Sequence, residues 1–228
     1  MWLVKNLIFV LYSMFWASFT LISAPLNYKH KIGYFILKNW TKGGLMLFGI
    51  KVKLHGSENI IKGKGHIYVS NHLSYLDILV LLATIPDNIR MVYRSEISKI
   101  PVFGWAMLAC GFISIDRTNI KSAIRSLEKG AKKIKKGISI LIFPEGTRSP
   151  DGKTGEFKRG MFLLAEQSGA DIIPVSISGT YELLKRDTYK VKSGKVNIVI
   201  GKPMKFRKDK QFVSELRDVV VKNIKAVN

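Results

Sequence analysis

Ser70-Asn71-His72-Leu73-Ser74-Tyr75-Leu76-Asp77 sets an imidazole five residues ahead of a carboxylate, between an apolar strand-like run, Ile67–Ser70, and an apolar helix-like run ending near Thr84. On a continuous helix five residues lie roughly 140° apart, so the two side chains meet only if His72 sits in the turn and Asp77 in the first helical turn. In that arrangement the carboxylate fixes one ring tautomer and the other ring nitrogen is left to take a proton from an alcohol. The hydroxyl of a substrate then stands where a serine nucleophile would, and transfer is direct, without a covalent intermediate. The same residues also fit a capping box, Ser74-x-x-Asp77, in which Asp77 satisfies only backbone donors. The spacing leaves both arrangements open.

Three further blocks carry polar groups at the ends of predicted elements. Phe143-Pro144-Glu145-Gly146-Thr147-Arg148-Ser149 follows the strand-like run Ile138–Phe143, and open α/β sheets bind ligands at their strand ends. There Gly146 permits close backbone approach and Arg148 offers a planar fork for phosphate oxygens; a plain glycine turn with a solvated arginine is the alternative. Gly111-Phe112-Ile113-Ser114-Ile115-Asp116-Arg117 ends in a second arginine, which can hold a phosphate while His72 faces the hydroxyl, or pair with Asp116. Phe157-Lys158-Arg159-Gly160 places two cations ahead of an expected helix, Met161–Gln167, where the helix dipole disfavours positive charge. An arriving anion, bound by Arg159 and the backbone donors of that helix, would account for them. His30, His55, His66, His72 and Cys110 show no metal-ligand spacing, so no metal is expected.

Short β-rich runs alternating with helical periods must position these groups. Ile67–Ser70, Gly111–Ile115, Ile138–Phe143, Ile172–Ser178 and Val196–Ile200 read as strands, and Asn119–Lys136 and a stretch from about Lys210 read as amphipathic helices. The expected fold is α/β: one mixed, mostly parallel sheet flanked by helices, with an N-terminal membrane-associated helix pair. We expect residues 1–50 to form membrane-anchoring or interfacial helices and residues 51–228 the catalytic domain.

An uncharged run of 23 residues, Asn6–Tyr28, is followed by Ile32–Ile50, in which Lys38 and Lys42 interrupt an aromatic-rich stretch. The first can span a bilayer or lie in its interface. The second suits an interfacial helix whose rings sit at headgroup depth and whose ammonium groups reach phosphates, or an ordinary helix packed on the domain. Pro25 directly after Ala24 is a poor cleavage context, favouring an anchor over a signal peptide. A formal net charge of +21 calls for an anionic partner. Its arrangement favours acidic membrane lipids over nucleic acid and keeps the body on the cytoplasmic side, at the inner or plasma membrane if the source is bacterial. A single cysteine excludes an intrachain disulfide.

In order and spacing, Asn71–Asp77, Gly111–Arg117, Phe143–Ser149 and Ile172-Ile173-Pro174-Val175-Ser176 resemble the four motifs of the glycerolipid acyltransferase family, and its 1-acylglycerol-3-phosphate acyltransferase branch in particular. The resemblance implies His72 as base, Asp77 as its orienting partner, and Arg117, Glu145, Gly146, Thr147 and Arg148 as glycerol-phosphate contacts. Arg94 joins them as a further phosphate candidate, with pairing to Glu96 as its alternative, and Pro174 is expected near the acyl side. For Glu145 two roles are open, hydrogen bonding to glycerol hydroxyls or orienting Arg148. The implied reaction moves a fatty acyl group from an acyl-carrier protein or coenzyme A thioester to lysophosphatidic acid, with no cofactor and with amides or arginines near Gly146 meeting the oxyanion. Glycerol 3-phosphate or another lysolipid is the alternative acceptor, and a non-catalytic basic membrane- or nucleic-acid-binding protein the alternative of a different class.

Overall fold

The computed structural model describes residues 2–26, 31–61 and 63–227; His30 lies outside them. Seven strands, β1 (Ile50–His55), β2 (Ile67–Ser70), β3 (Ile89–Arg94), β4 (Ile113–Ile115), β5 (Ser139–Ile142), β6 (Ile172–Ser178) and β7 (Gly194–Ile200), form one sheet in the order β1-β7-β6-β2-β5-β3-β4. The five strands from β6 to β4 are parallel, whereas β7 is antiparallel to β6 and parallel to β1. The sheet is therefore mixed and mostly parallel, as expected. Its two edges are protected differently: β1 turns Lys51 and Lys53 outward, and β4 is only three residues long.

Because side chains alternate along each strand, the sheet divides the interior into two cores. Tyr68, Leu141, Ile173 and Val175 pack on one face beneath α1 (Trp2–Ser23), α2 (Lys31–Phe48), α3 (Leu76–Thr84) and α4 (Phe103–Ala109). Ile67, Val69, Ile140 and Ile142 pack on the other, beneath α5 (Ile120–Lys135), α6 (Leu163–Ser168) and α8 (Lys210–Lys225), with the four-residue α7 (Thr180–Leu183) following β6. The two amphipathic helices begin where the sequence predicts, each behind a capping side chain. Asn119 accepts from the Ser122 amide at 3.0 Å ahead of α5, and Asp209 from the Phe212 amide at 2.6 Å ahead of α8.

The N-terminal helices differ from expectation in one respect. α2 packs on the domain, the alternative weighed for it: Leu37, Leu45 and Phe48 belong to the core, and Trp40 packs against Phe9 and Phe103 while its indole N–H donates to Ser13 Oγ at 3.0 Å, leaving Phe35 and Met46 exposed. Lys38 does not reach outward. Its ammonium donates to the Ile85 carbonyl at 2.5 Å and the Ala83 carbonyl at 3.4 Å, at the C-terminus of α3, where helix carbonyls lack internal partners. The larger apolar surface belongs to α1, which exposes Leu3, Leu7, Leu11 and Phe15 as one stripe at four-residue spacing. α1 is long and apolar enough to cross a membrane. It is nonetheless tied down, by the Tyr12 hydroxyl donating to the Asn39 carbonyl at 2.8 Å and by Gly43, where any Cβ would collide with that hydroxyl.

Candidate active site

β2 is the middle strand of seven, and its polar continuation carries the imidazole. Asn71 prolongs the ladder with its side chain: Nδ2 donates to the Ile177 carbonyl and Oδ1 accepts from the Ile177 amide, both at 2.9 Å, so the chain stays registered on β6 one residue past the strand. His72 then turns off the sheet. Its Nδ1 lies 2.9 Å from Asp77 Oδ2, and the same oxygen accepts from the amides of Leu73 at 2.7 Å and Ser74 at 2.8 Å. Both arrangements open in the sequence are thus realised by one carboxylate. The Ser74 hydroxyl accepts from the Leu76 amide at 3.3 Å, not from that of Asp77, and donates to the Leu184 carbonyl at 2.7 Å. An ionised Asp77 only accepts hydrogen bonds, so Nδ1 carries the ring proton and Nε2 holds the basic lone pair.

The turn after β5 grips the same residue from the other side. The His72 ring stacks on Phe143 with centroids 4.0 Å apart, and the His72 carbonyl accepts from the Ser149 amide at 2.8 Å. Glu145, also buried, accepts from the His72 amide at 2.8 Å through Oε1 and from the Gly155 amide at 3.1 Å through Oε2. Burial holds its carboxyl above the ordinary carboxylate range, and the two amide bonds pull in the opposite direction. Both oxygens of Glu145 are engaged by backbone, and it does not orient Arg148, which stacks on the Tyr75 ring at 3.6 Å while donating to the Arg186 carbonyl at 2.9 Å. At Gly146 the chain takes φ 76° and its amide donates to the Phe143 carbonyl at 3.0 Å, so that amide closes the turn instead of facing a ligand.

The cations lie at the same C-terminal edge of the parallel strands. Arg117, just past β4, donates to the Gly146 carbonyl, and Asp116 bonds Thr118 instead of Arg117. Burial draws the Arg117 guanidinium downward, with the nearby charge of Arg94 adding to the effect. Arg94, the last residue of β3, is exposed and paired with Glu96 at 2.6 Å, the alternative weighed for it. Thr147 is exposed on the turn. Arg159 begins a 3-10 turn, Arg159–Phe162, that leads into α6, so the expected helix Met161–Gln167 forms with a tightened first turn that takes in Arg159; Arg159 and Lys158 line a cleft with Arg117 and Gly146. Pro174 pairs with Val69 and alternates with Ile173 and Val175, which places it toward α8.

On the opposite face an apolar cleft of about 440 Å³ runs between α1, α2, α3 and α4, lined by Phe9, Ala17, Trp40, Leu79, Ala106 and Met107 among others, and reaches the site at Tyr75. Among the described residues no three His, Cys, Asp or Glu side chains converge on a metal position. Phe143 was given no role in the sequence, since only the pairing of β5 with β2 brings its ring onto His72.

A mixed α/β sheet thus carries a hydrogen-bonded His–Asp pair at its central strand end, with arginines beside it and an apolar cleft on one face. The acyltransferase family model matches residues 51–178, and the chain belongs to that family. The chain is 32% identical over 204 residues to the chloroplastic 1-acyl-sn-glycerol-3-phosphate acyltransferase BAT2 of Brassica napus, covering 89% of this chain and 59% of that one. A 1-acyl-sn-glycerol-3-phosphate acyltransferase of Saccharomyces cerevisiae is 34% identical over 190 residues, 80% of this chain and 62% of its own length. The chain thus spans about three fifths of the length of these relatives. The crystal structure of the 1-acyl-sn-glycerophosphate acyltransferase PlsC from Thermotoga maritima superposes with a TM-score of 0.79 at 28% identity, covering 99% of this chain and 98% of that one.

Proposed function

We propose that this protein transfers a fatty acyl group from an acyl thioester, carried by an acyl-carrier protein or coenzyme A, to the free sn-2 hydroxyl of lysophosphatidic acid, giving phosphatidic acid. The observation that carries this reading is the Asp77–His72 pair, whose geometry leaves Nε2 as a base. His72 Nε2 takes the hydroxyl proton as the oxygen attacks the thioester carbonyl. The carbon–oxygen bond forms, the carbon–sulfur bond breaks, and the proton passes from His72 to the departing thiolate. The cations Arg117, Lys158 and Arg159 hold the acceptor phosphate and, with Arg148, offset the charge on the tetrahedral oxyanion. The α1–α4 cleft holds the acyl chain.

Glu145, on this reading, is a positioning residue. It fixes the backbone of His72 to that of the turn and acts on the substrate only through them. The protein works at a membrane surface: the apolar stripe of α1 enters the lipid and the net charge of +21 favours an anionic leaflet on the cytoplasmic side. Conversion of lysophosphatidic acid to phosphatidic acid by purified protein in lipid vesicles, with an acyl thioester supplied, tests the proposal. Thioester consumption without phosphatidic acid would send it to another acceptor.

A further inference from the structure

Ile120 and Ile124, on the first turns of α5, stand out to solvent at 76% and 40% exposure, while Leu127, Ala131 and Ile134 of the same helix are buried. The two isoleucines form one wall of a cleft of about 800 Å³, on the sheet face away from α1 and α2, with Phe162, Leu163, Phe206 and Val213 opposite. Where the cleft meets the catalytic turn its lining changes to Arg117, Gly146, Lys158 and Arg159. Its two acids are engaged, Glu166 with Lys208 at 2.5 Å and Asp209 with Arg207 at 3.2 Å, whereas Lys158 and Arg159 have no carboxylate within 4.0 Å among the described residues. Lys121 and Arg125, both exposed, flank the isoleucines on α5.

We propose that this surface docks an acidic acyl-carrier protein, with Ile120, Ile124, Lys121 and Arg125 meeting its acidic helix and the apolar part of the cleft, lined by Leu163, Phe206 and Val213, receiving its phosphopantetheine arm, while the cationic end keeps the acceptor phosphate. The inference rests on the acyl-thioester reading above. An acceptor held in the membrane arrives from the α1 side, so an amphipathic cleft on the opposite face serves the reactant that arrives from water. Two exposed isoleucines flanked by cations have the apolar centre and charged rim of a protein-binding patch. The acyl chain in the α1–α4 cleft and the arm in this one lie on opposite faces of the sheet. The thioester between them then crosses the strand ends at His72 and Gly146.

The test compares transfer to lysophosphatidic acid from one acyl chain carried either by acyl-carrier protein or by coenzyme A, using the full chain and the variants Lys121→Glu/Arg125→Glu and Ile124→Asp. The ratio of the two kcat/KM values, carrier protein over coenzyme A, is expected to fall by about tenfold or more in each variant, as for an interface losing complementary charge or its apolar centre. A carrier protein with two acidic helix residues changed to lysine is expected to recover the loss in the double charge variant. A ratio that stays constant, whether both donors keep their rates or decline in parallel, overturns the docking assignment. So does a wild-type protein that uses coenzyme A thioesters alone, an outcome that leaves the acyl-transfer reading standing. Absence of phosphatidic acid from both donors in the wild type overturns that reading and the inference with it.

Discussion

His72, Asp77 and Glu145 form one device in which chemistry and structure share atoms, and substitutions should separate the shares. His72→Gln removes the base while keeping a donor toward Asp77 and much of the volume beside Phe143, so kcat should fall by about 10²–10⁴-fold with the thermal midpoint little changed. Asp77→Asn should lower both: Oδ2 also holds the Leu73 and Ser74 amides, and weakening such an end of a helix costs about 1 kcal/mol, or roughly 2–4 °C. Thermal melts beside steady-state rates distinguish the two. Glu145→Gln keeps one acceptor oxygen where two amides need one each, so kcat should drop about tenfold, some 1.4 kcal/mol of positioning, with KM for lysophosphatidic acid little changed. A rise in KM with kcat intact would mean that Glu145 touches the substrate. The five-residue spacing of His72 and Asp77 was legible because both partners lie on one short stretch of chain. The role of Glu145 was not, since it sits 73 residues from His72 and meets it only because β5 neighbours β2.

The elements were legible in proportion to the regularity of their pattern. α5, α8 and five strands follow clear apolar periods with polar caps, and they fall within a few residues of the predicted spans. β1 and β3 escaped because Lys51 and Lys53 give β1 the look of a surface segment and Arg90 interrupts β3 with a cation that is fully buried. α2 misled for a related reason: Lys38 resembles a headgroup anchor, and only the fold shows it turned onto the end of α3. Burial, then the charge of Lys42, pull the Lys38 ammonium down to about 8. The folded state therefore binds fewer protons than the unfolded chain between about pH 8 and 10.5, and stability should rise with pH across that window, by roughly 2–3 kcal/mol for a shift of this size. Denaturant unfolding of wild type and Lys38→Met at pH 7.5 and pH 10 should show the wild type gaining relative to the variant; parallel curves would mean that Lys38 is solvated. In the apolar cleft, Ala106→Phe should shift the preferred donor to shorter acyl chains, because each CH₂ denied burial forfeits about 0.8 kcal/mol. An unaltered chain-length profile would place the acyl group elsewhere.

For the molecule as a whole, the separation into anchor and catalytic domain at residue 50 is looser in the structure than the composition suggests. Ile50 is the first residue of β1, and Leu45 and Phe48 belong to the same core as β2 and β6. Membrane attachment is therefore better tested on the outer face of α1 than by truncation. Leu7→Glu/Leu11→Glu/Phe15→Glu, all at exposed positions, should leave the thermal midpoint in detergent unchanged and release the protein from anionic vesicles, as measured by sedimentation. Retention of the triple variant on the vesicles would assign attachment to another surface. The family and the broad fold were recognisable from four short blocks, whereas the division of labour between the two faces of the sheet depends on strand order and on which helices cover which face. The most direct test of the account compares wild type with His72→Gln, at matched thermal stability, in anionic vesicles containing lysophosphatidic acid and an acyl thioester. Phosphatidic acid from the wild type and a loss of about 10²–10⁴-fold in the variant are expected; equal product from both would exclude His72 as the base.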